Sequence, residues 1–209
     1  MRDERIADKA GDHAVERFDP ARLGAETPGW ERVASEQIAD CRVFKVRRDL
    51  CVSPRDGHRH DFYCLECPDW INVIPLTAAG EVVMIEQHRH GIDRTTLEIP
   101  GGMVDPGEDS RTAAVRELFE ETGYRASEAK LLGSTHPNPA IQDNLIHTYL
   151  CENVTYERTP IFDSTEHTAV RLVPLADVPA LMADNTITHS LVVVGFHRLM
   201  LYRDGKLKV

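Results

Sequence analysis

No apolar run in this 209-residue chain reaches the ~18–20 residues needed to span a bilayer, and the opening Met-Arg-Asp-Glu-Arg carries no apolar signal core. The expectation is a soluble, cytoplasmic protein with no membrane partner. Positive charge is also scarce: 24 Lys and Arg stand against 34 Asp and Glu, a formal charge of −10. That balance argues against broad nucleic-acid binding, which rests on neutralising phosphates with basic side chains. It leaves anionic small substrates open, because bound cations invert a local field. Cysteine is sparse and odd in number, with Cys41, Cys51, Cys64, Cys67 and Cys151, which without a secretory signal reads as reduced thiols. His58, His60, Cys64 and Cys67 could be read as a two-His, two-Cys zinc site. However, Asp61 to Cys67 reads as a strand, where side chains three apart point to opposite faces, so buried or partly exposed thiols are the better reading. Internal repeats and low-complexity segments are absent.

What is present suits one globular domain with an N-terminal addition. The 42% hydrophobic fraction is enough for a real core. Residues 1–29 are polar and broken by Gly11, Pro20, Gly24, Pro28 and Gly29, and read as a loosely ordered extension. Strands are expected over 30–38, 41–53 and 58–67, then 70–77 and 81–88, the last two flanking the hairpin signal Thr77-Ala78-Ala79-Gly80. Leu97-Glu98-Ile99-Pro100 is a short strand, and a helix follows over about 109–122, with Asp109 or Ser110 as its cap. Further strands are expected near 128–136, 144–152 and 166–173, then a helix from Pro174 to Met182 and an amphipathic one from Thr188 to Arg203. Strands around one central helix, closed by helices, imply an α/β fold with a mixed sheet between helices. Residues 30–67 would form a small N-terminal antiparallel β-sheet and 68–209 the main domain.

The richest segment runs from Gly102 to Tyr124. Gly102 is followed after five residues by Glu108, after seven more by Arg116-Glu117-Leu118, then by Glu120-Glu121 and Gly123. On a helix Glu117 and Glu121 share a face and Glu120 borders it. Like charges so spaced repel, and a divalent cation would remove the repulsion. Oxygen ligands without thiol or imidazole suit Mg²⁺ or Mn²⁺ rather than Zn²⁺. A charge run more often faces water. Here Gly101-Gly102, the Asp105-Pro106-Gly107 turn and the helix stop at Gly123 frame the carboxylates. An apolar stripe of Ala114, Val115, Leu118 and Phe119 packs loop and helix as one unit.

At these residues the chain resembles the Nudix hydrolases, whose pattern is Gly, five residues, Glu, seven residues, Arg-Glu-apolar-any-Glu-Glu-any-Gly-apolar. All eight fixed positions match, and the last apolar position is Tyr124. The resemblance implies the Nudix α/β/α sandwich and a metal-dependent hydrolase of nucleoside diphosphates linked to another group. By position, Glu117 and Glu121 would be the main metal ligands. Glu120 would be a further ligand or catalytic carboxylate and the Gly101 carbonyl a backbone ligand. Arg116 and Glu108 would orient the carboxylates.

The flanks are similar to the ADP-ribose pyrophosphatase group: Gln87-His88-Arg89, and Leu97-Glu98-Ile99-Pro100-Gly101-Gly102. The resemblance implies that Arg89 contacts substrate phosphate or ribose, an arginine fork suiting phosphate oxygens. Glu98, Pro139 and Trp70 complete the candidate substrate set, with Trp70 either a base-stacking platform or a core aromatic. After Pro137-Asn138-Pro139 the group's glycine and late glutamate are replaced by Ala140 and Asn144, a departure that weakens a strict ADP-ribose assignment. The water-orienting carboxylate would come from the loop before the last strand, with Glu166 the candidate and His167 or Asp163 behind it. In such relatives the N-terminal sheet mediates a homodimer. The alternatives are a nucleoside triphosphate, coenzyme A derivative or capped RNA as substrate, and a Nudix-fold sensing module without turnover.

Overall fold

The structure, a computed structural model, describes residues 18–24, 27–160 and 168–209. Two compact units divide the chain, one drawn from residues 1–35 and 49–62, the other from 36–48 and 63–209. Strands β1 (Glu31–Asp40), β2 (Lys45–Val52) and β3 (Arg59–Glu66) pair in that order as a small sheet. Within the first unit the Trp30 ring stands edge-on to His60 and Phe62, at 5.4 and 5.1 Å. Asp49 there is buried and held by the Ser35 hydroxyl at 2.6 Å and Arg32 at 3.4 Å.

The second unit is built on two strands with apolar runs, β4 (Trp70–Leu76), interrupted by Asn72, and β5 (Glu81–Arg89), apolar over Val82–Ile85. Runs of this kind signal a strand covered on both faces. Alternation sorts the faces. Ile71, Val73 and Val83 pack with Ala113, Ala114 and Leu118 of helix α1 (Ser110–Thr122). Ile74, Leu76, Val82 and Met84 pack on the other side with Val178 of α2 (Val178–Ala183) and Val192, Phe196 and Leu199 of α3 (Ser190–Arg203). The expected α/β/α sandwich follows from that parity.

The sheet is mixed. Besides β4 and β5 it contains β6 (Arg94–Glu98), β7 (Gly101–Met103), β9 (Lys130–Thr135), β10 (Ile146–Glu152) and β12 (Thr168–Pro174). The two-residue strands β8 (Tyr124–Arg125) and β11 (Thr155–Tyr156) form a separate pair. Strand β10 runs parallel to β4, from Ile146 opposite Trp70 to Glu152 opposite Leu76, and antiparallel to β9. Strand β12 lies antiparallel to β5. The β4–β5 hairpin closes at Thr77–Gly80 and pairs Leu76 with Val82. At their far ends the partners differ: β5 takes β6, and β4 takes β7.

Besides the short strands β8 and β11, which the sequence reading did not expect, two elements differ from it. The short strand expected over 97–100 is two strands broken at Pro100, which has no N–H to continue a ladder. Its carbonyl instead accepts from Val73 N–H at 2.8 Å, so the metal motif begins in a strand rather than a loop. The helix expected from Pro174 begins at Val178, because Pro174 still pairs with Glu81 at the end of β12. No helix among the described residues is long and apolar enough to cross a membrane.

Candidate active site

Helix α1 carries most of the motif. Asp109 caps it, its carboxylate accepting from Arg111 and Thr112 N–H at 3.0 and 3.3 Å, and Gly123 ends it in the left-handed conformation. Arg116 is the hub of the acidic cluster. Its guanidinium donates to both oxygens of Glu108 at 3.0 and 2.8 Å, to Glu117 at 2.9 Å and to Glu120 at 3.2 Å. It also donates to the Met103 carbonyl at 3.3 Å, tying the helix to β7. The bond from Arg116, helped by Asp105 N–H, outweighs burial and holds the Glu108 carboxyl below its ordinary range. Glu121 departs from a water-facing acidic face. It is 3% exposed, and its carboxylate accepts from Gly101 N–H at 2.9 Å.

Beside this cluster lies a cleft of about 820 Å³ within the second unit. Glu117, Gly101 and Gly102 line it, together with Arg89, Glu98 and Trp70. Sequence order scatters these residues over β4 to α1, and the sheet brings them to one place. Of the remaining candidates, Pro139 is exposed and is not a lining residue. Glu166, with Asp163 and His167, falls outside the described residues.

The Arg89 fork is engaged by protein. It grips Glu98 with two parallel bonds, Nε to Oε1 at 2.8 Å and Nη2 to Oε2 at 2.7 Å. Burial would raise the Glu98 carboxyl, but the bonds from Arg89 and Thr96, with the Arg89 and His189 charges, outweigh it and hold the group below its ordinary 4.5. His189 caps α3, its Nδ1 accepting from Leu191 N–H at 3.2 Å, so the ring proton sits on Nε2, 3.8 Å from Glu98 Oε2. Burial lowers the His189 pKa against the pull of Glu98, favouring the neutral ring.

Glu98 sets a pH dependence with a definite sign. A depressed carboxylate contributes stability that is complete above its unfolded value, near 4.5, and is lost as pH falls through the lower folded value. Thermal melts of wild type and Glu98→Gln should therefore differ at neutral pH and converge only in acid below that value. A gap independent of pH would show that the charge contributes nothing.

Sequence reading missed His189, Thr96 and Asn72. Asn72 had a signal: it is the one polar residue within Ile71-Asn72-Val73-Ile74, and a buried polar side chain in an apolar strand is informative. His189 had only the signal of a helix start. The cysteines are all free, and burial pushes the Cys151 thiol up to about 12.

Oxygen donors at one mouth of a cleft, on a glycine-framed strand-to-helix unit, agree with a comparison against known families, in which the NUDIX domain matches residues 69–191. The chain belongs to the NUDIX family. A relative, the methanol dehydrogenase activator of Bacillus methanolicus, is 30% identical over 84% of this chain and 95% of its own length. An ADP-ribose pyrophosphatase of Bacillus subtilis (strain 168) is 28% identical over 81% of this chain and 91% of its own. A solved structure of an ADP compounds hydrolase has a TM-score of 0.74 at 21% identity, covering 86% of this chain and 98% of that one, and it supports the same NUDIX fold.

Among the described residues no three His, Cys, Asp or Glu side chains are already gathered to hold a cation. Glu117 and Glu120 bond to Arg116, and Glu121 to Gly101 N–H. The donor chemistry nevertheless fits a hard divalent cation. Glycine at 102 keeps the carboxylate against the backbone, since a Cβ there would stand 2.3 Å from Glu117 Oε1.

Proposed function

We propose that this NUDIX protein hydrolyses the diphosphate linkage of a nucleoside diphosphate sugar, ADP-ribose or a close analogue, to a nucleoside monophosphate and a sugar phosphate with Mg²⁺ or Mn²⁺. The observation that carries the reading is the cleft itself. Glu117 and the Gly101–Gly102 backbone stand on the same cavity as the apolar walls Phe44, Trp70 and Ile146, which suit a base or sugar face. Glu117 and Glu121 would hold the cation, with Glu120 and the Gly101 carbonyl as further donors. When bound, such a cation polarises phosphoryl oxygens and lowers the pKa of a water.

The chain's own residues do the rest. Arg116 holds Glu108, Glu117 and Glu120 in register by its donors. Glu98 fixes the Arg89 guanidinium at the cleft by two parallel bonds, which orients it for the substrate contact assigned to it. Glu166 is the candidate to orient water. The activity in the name of the B. subtilis relative supports the nucleotide-sugar class. A homodimer through residues 30–67 belongs to the same reading. It is supported by Val33, Ile38 and Val43, which stand 42 to 52% exposed.

The test is phosphate release through a coupled phosphatase, with ADP-ribose, GDP-mannose, UDP-glucose, ATP and coenzyme A at millimolar-order Mg²⁺. Mn²⁺ binding would be followed in parallel by electron paramagnetic resonance. The expected result is turnover of a nucleotide sugar above the others. Mn²⁺ binding with turnover of ATP or coenzyme A alone would overturn the substrate class, and ligand binding with no turnover would favour the sensing module.

A further inference from the structure

His189 opens α3 and lines the cleft, yet the helix start uses only half of its ring. Nδ1 accepts from Leu191 N–H at 3.2 Å, and an N–H can only donate, so Nδ1 carries no proton and the ring presents Nε2–H. Capping alone does not call for an imidazole, because Asn, Asp and Ser cap better with shorter side chains. The second nitrogen meets Glu98 Oε2 only at 3.8 Å, beyond hydrogen-bond reach. The side chain is 29% exposed, and among the described residues Nε2 is not one of the unpartnered polar atoms sealed from solvent. It is a fixed donor open to a ligand.

The neighbours select what that donor meets. Glu98 Oε2 also lies 2.7 Å from Arg89 Nη2, so a single carboxylate oxygen separates the imidazole donor from the guanidinium. The carboxylate stands behind them, its side chain 2% exposed against 41% for Arg89. A ligand at this corner of the cleft therefore meets donors and not the acceptor. Arginine can only donate, and the cap holds His189 as a donor. A sugar hydroxyl could accept from one of them, but its own proton would find no open acceptor in the pair. A phosphoryl oxygen carries lone pairs alone and is the matched partner, with the added strength of a charge-assisted bond.

Resting on the proposed hydrolase reading, we infer that His189 is a substrate-binding residue whose Nε2–H donates to a phosphoryl oxygen of the diphosphate beside Arg89. One nitrogen of the ring serves the helix and the other serves the ligand, so the start of α3 is tied to the substrate.

The two nitrogens can be removed separately in the full chain. His189→Asn places an amide oxygen where Nδ1 stands and keeps the cap, but it does not reach the Nε2 position. His189→Gln carries an amide N–H to the Nε2 position and gives up the cap. Calorimetry at saturating Mg²⁺ measures binding of methylenediphosphonate, a diphosphate analogue with neither base nor sugar and no hydrolysable bridge, and of adenosine. His189→Asn is expected to bind methylenediphosphonate about tenfold more weakly, the size of one hydrogen bond, at an unchanged melting temperature. His189→Gln is expected to bind it within about twofold of wild type and to melt roughly 2–4 °C lower. Adenosine binding stays level in both. In turnover, kcat/KM for ADP-ribose falls by about tenfold in His189→Asn and is largely restored in His189→Gln. Full affinity for methylenediphosphonate in His189→Asn would leave the ring as a cap alone and overturn the inference. Equal losses in the two variants would assign the effect to ring packing and overturn it too, as would a loss confined to adenosine or a wild type that does not bind methylenediphosphonate. The expected pattern of binding in a chain that hydrolyses nothing would uphold the phosphoryl contact and sink the hydrolase reading alone.

Discussion

Glu121→Gln is expected to lower kcat/KM on the preferred nucleotide sugar on the order of 10²–10³-fold, with weakened Mn²⁺ binding and little change in melting temperature. The reason lies in its placement. The side chain is buried at the C-terminal end of α1 and reaches Gly101 N–H at 2.9 Å, so it stands between the helix and the glycine whose carbonyl is a candidate ligand. Glutamine keeps the volume and an acceptor oxygen for that N–H, which preserves the packing. It removes the negative charge, which is what a hard cation needs. Glu120→Gln is the internal control. Glu120 is 47% exposed and bonds to Arg116 at 3.2 Å, so its loss should cost only about tenfold or less. Steady-state kinetics with paramagnetic Mn²⁺ titration separate the two. If Glu121→Gln kept full activity and full Mn²⁺ affinity, the ligand assignment would fail.

The largest expected loss of stability comes from Gly123→Ala. Gly123 has φ +72°, where an L side chain costs about 1–2 kcal/mol. A Cβ there would also stand 1.7 Å from the Arg158 carbonyl oxygen, an atom of backbone that cannot swing away. Arg158 is held in place by more than that contact. Its guanidinium stacks 4.1 Å from the Phe119 ring centroid, and Glu157 N–H donates to the Gly123 carbonyl at 3.0 Å. The overpacking adds about 1–3 kcal/mol, for a total of roughly 2–5 kcal/mol and a melting temperature lower by about 10 °C. Gly80→Ala isolates the backbone part, because Gly80 has φ +80° and an added methyl would meet nothing within 4 Å. Differential scanning calorimetry should show Gly123→Ala several times more destabilised than Gly80→Ala. Equal shifts would mean that the β8–β11 pair yields freely.

The metal motif is legible in the sequence because its signals are local. Glycine spacing, a capping aspartate, an apolar stripe and carboxylates three and four apart all lie within one turn and one helix, where sequence distance is spatial distance. The strands of the second unit are legible for a similar reason: their apolar runs end at turn residues such as Thr77–Gly80. The partners of the charges are not legible. The resemblance points Arg89 at substrate phosphate, and the fold gives its fork to Glu98, nine residues away across the β5–β6 pair. Helical spacing puts Glu121 on an acidic face, and the approach of Gly101 buries it. Both outcomes depend on strand register, which is set by pairing between segments and not within one.

The sequence by itself determined the NUDIX motif, the order of the longer elements and the donor chemistry, since each rests on residue type at short spacing. Only the tertiary structure decided which polar groups meet. His189 of the α3 cap comes beside Glu98 of β6, and Asn72 of β4 donates its amide nitrogen to the Leu191 carbonyl in the first turn of α3. Those meetings join segments up to 119 residues apart, and what selects them is the packing of two helical layers on opposite faces of one sheet.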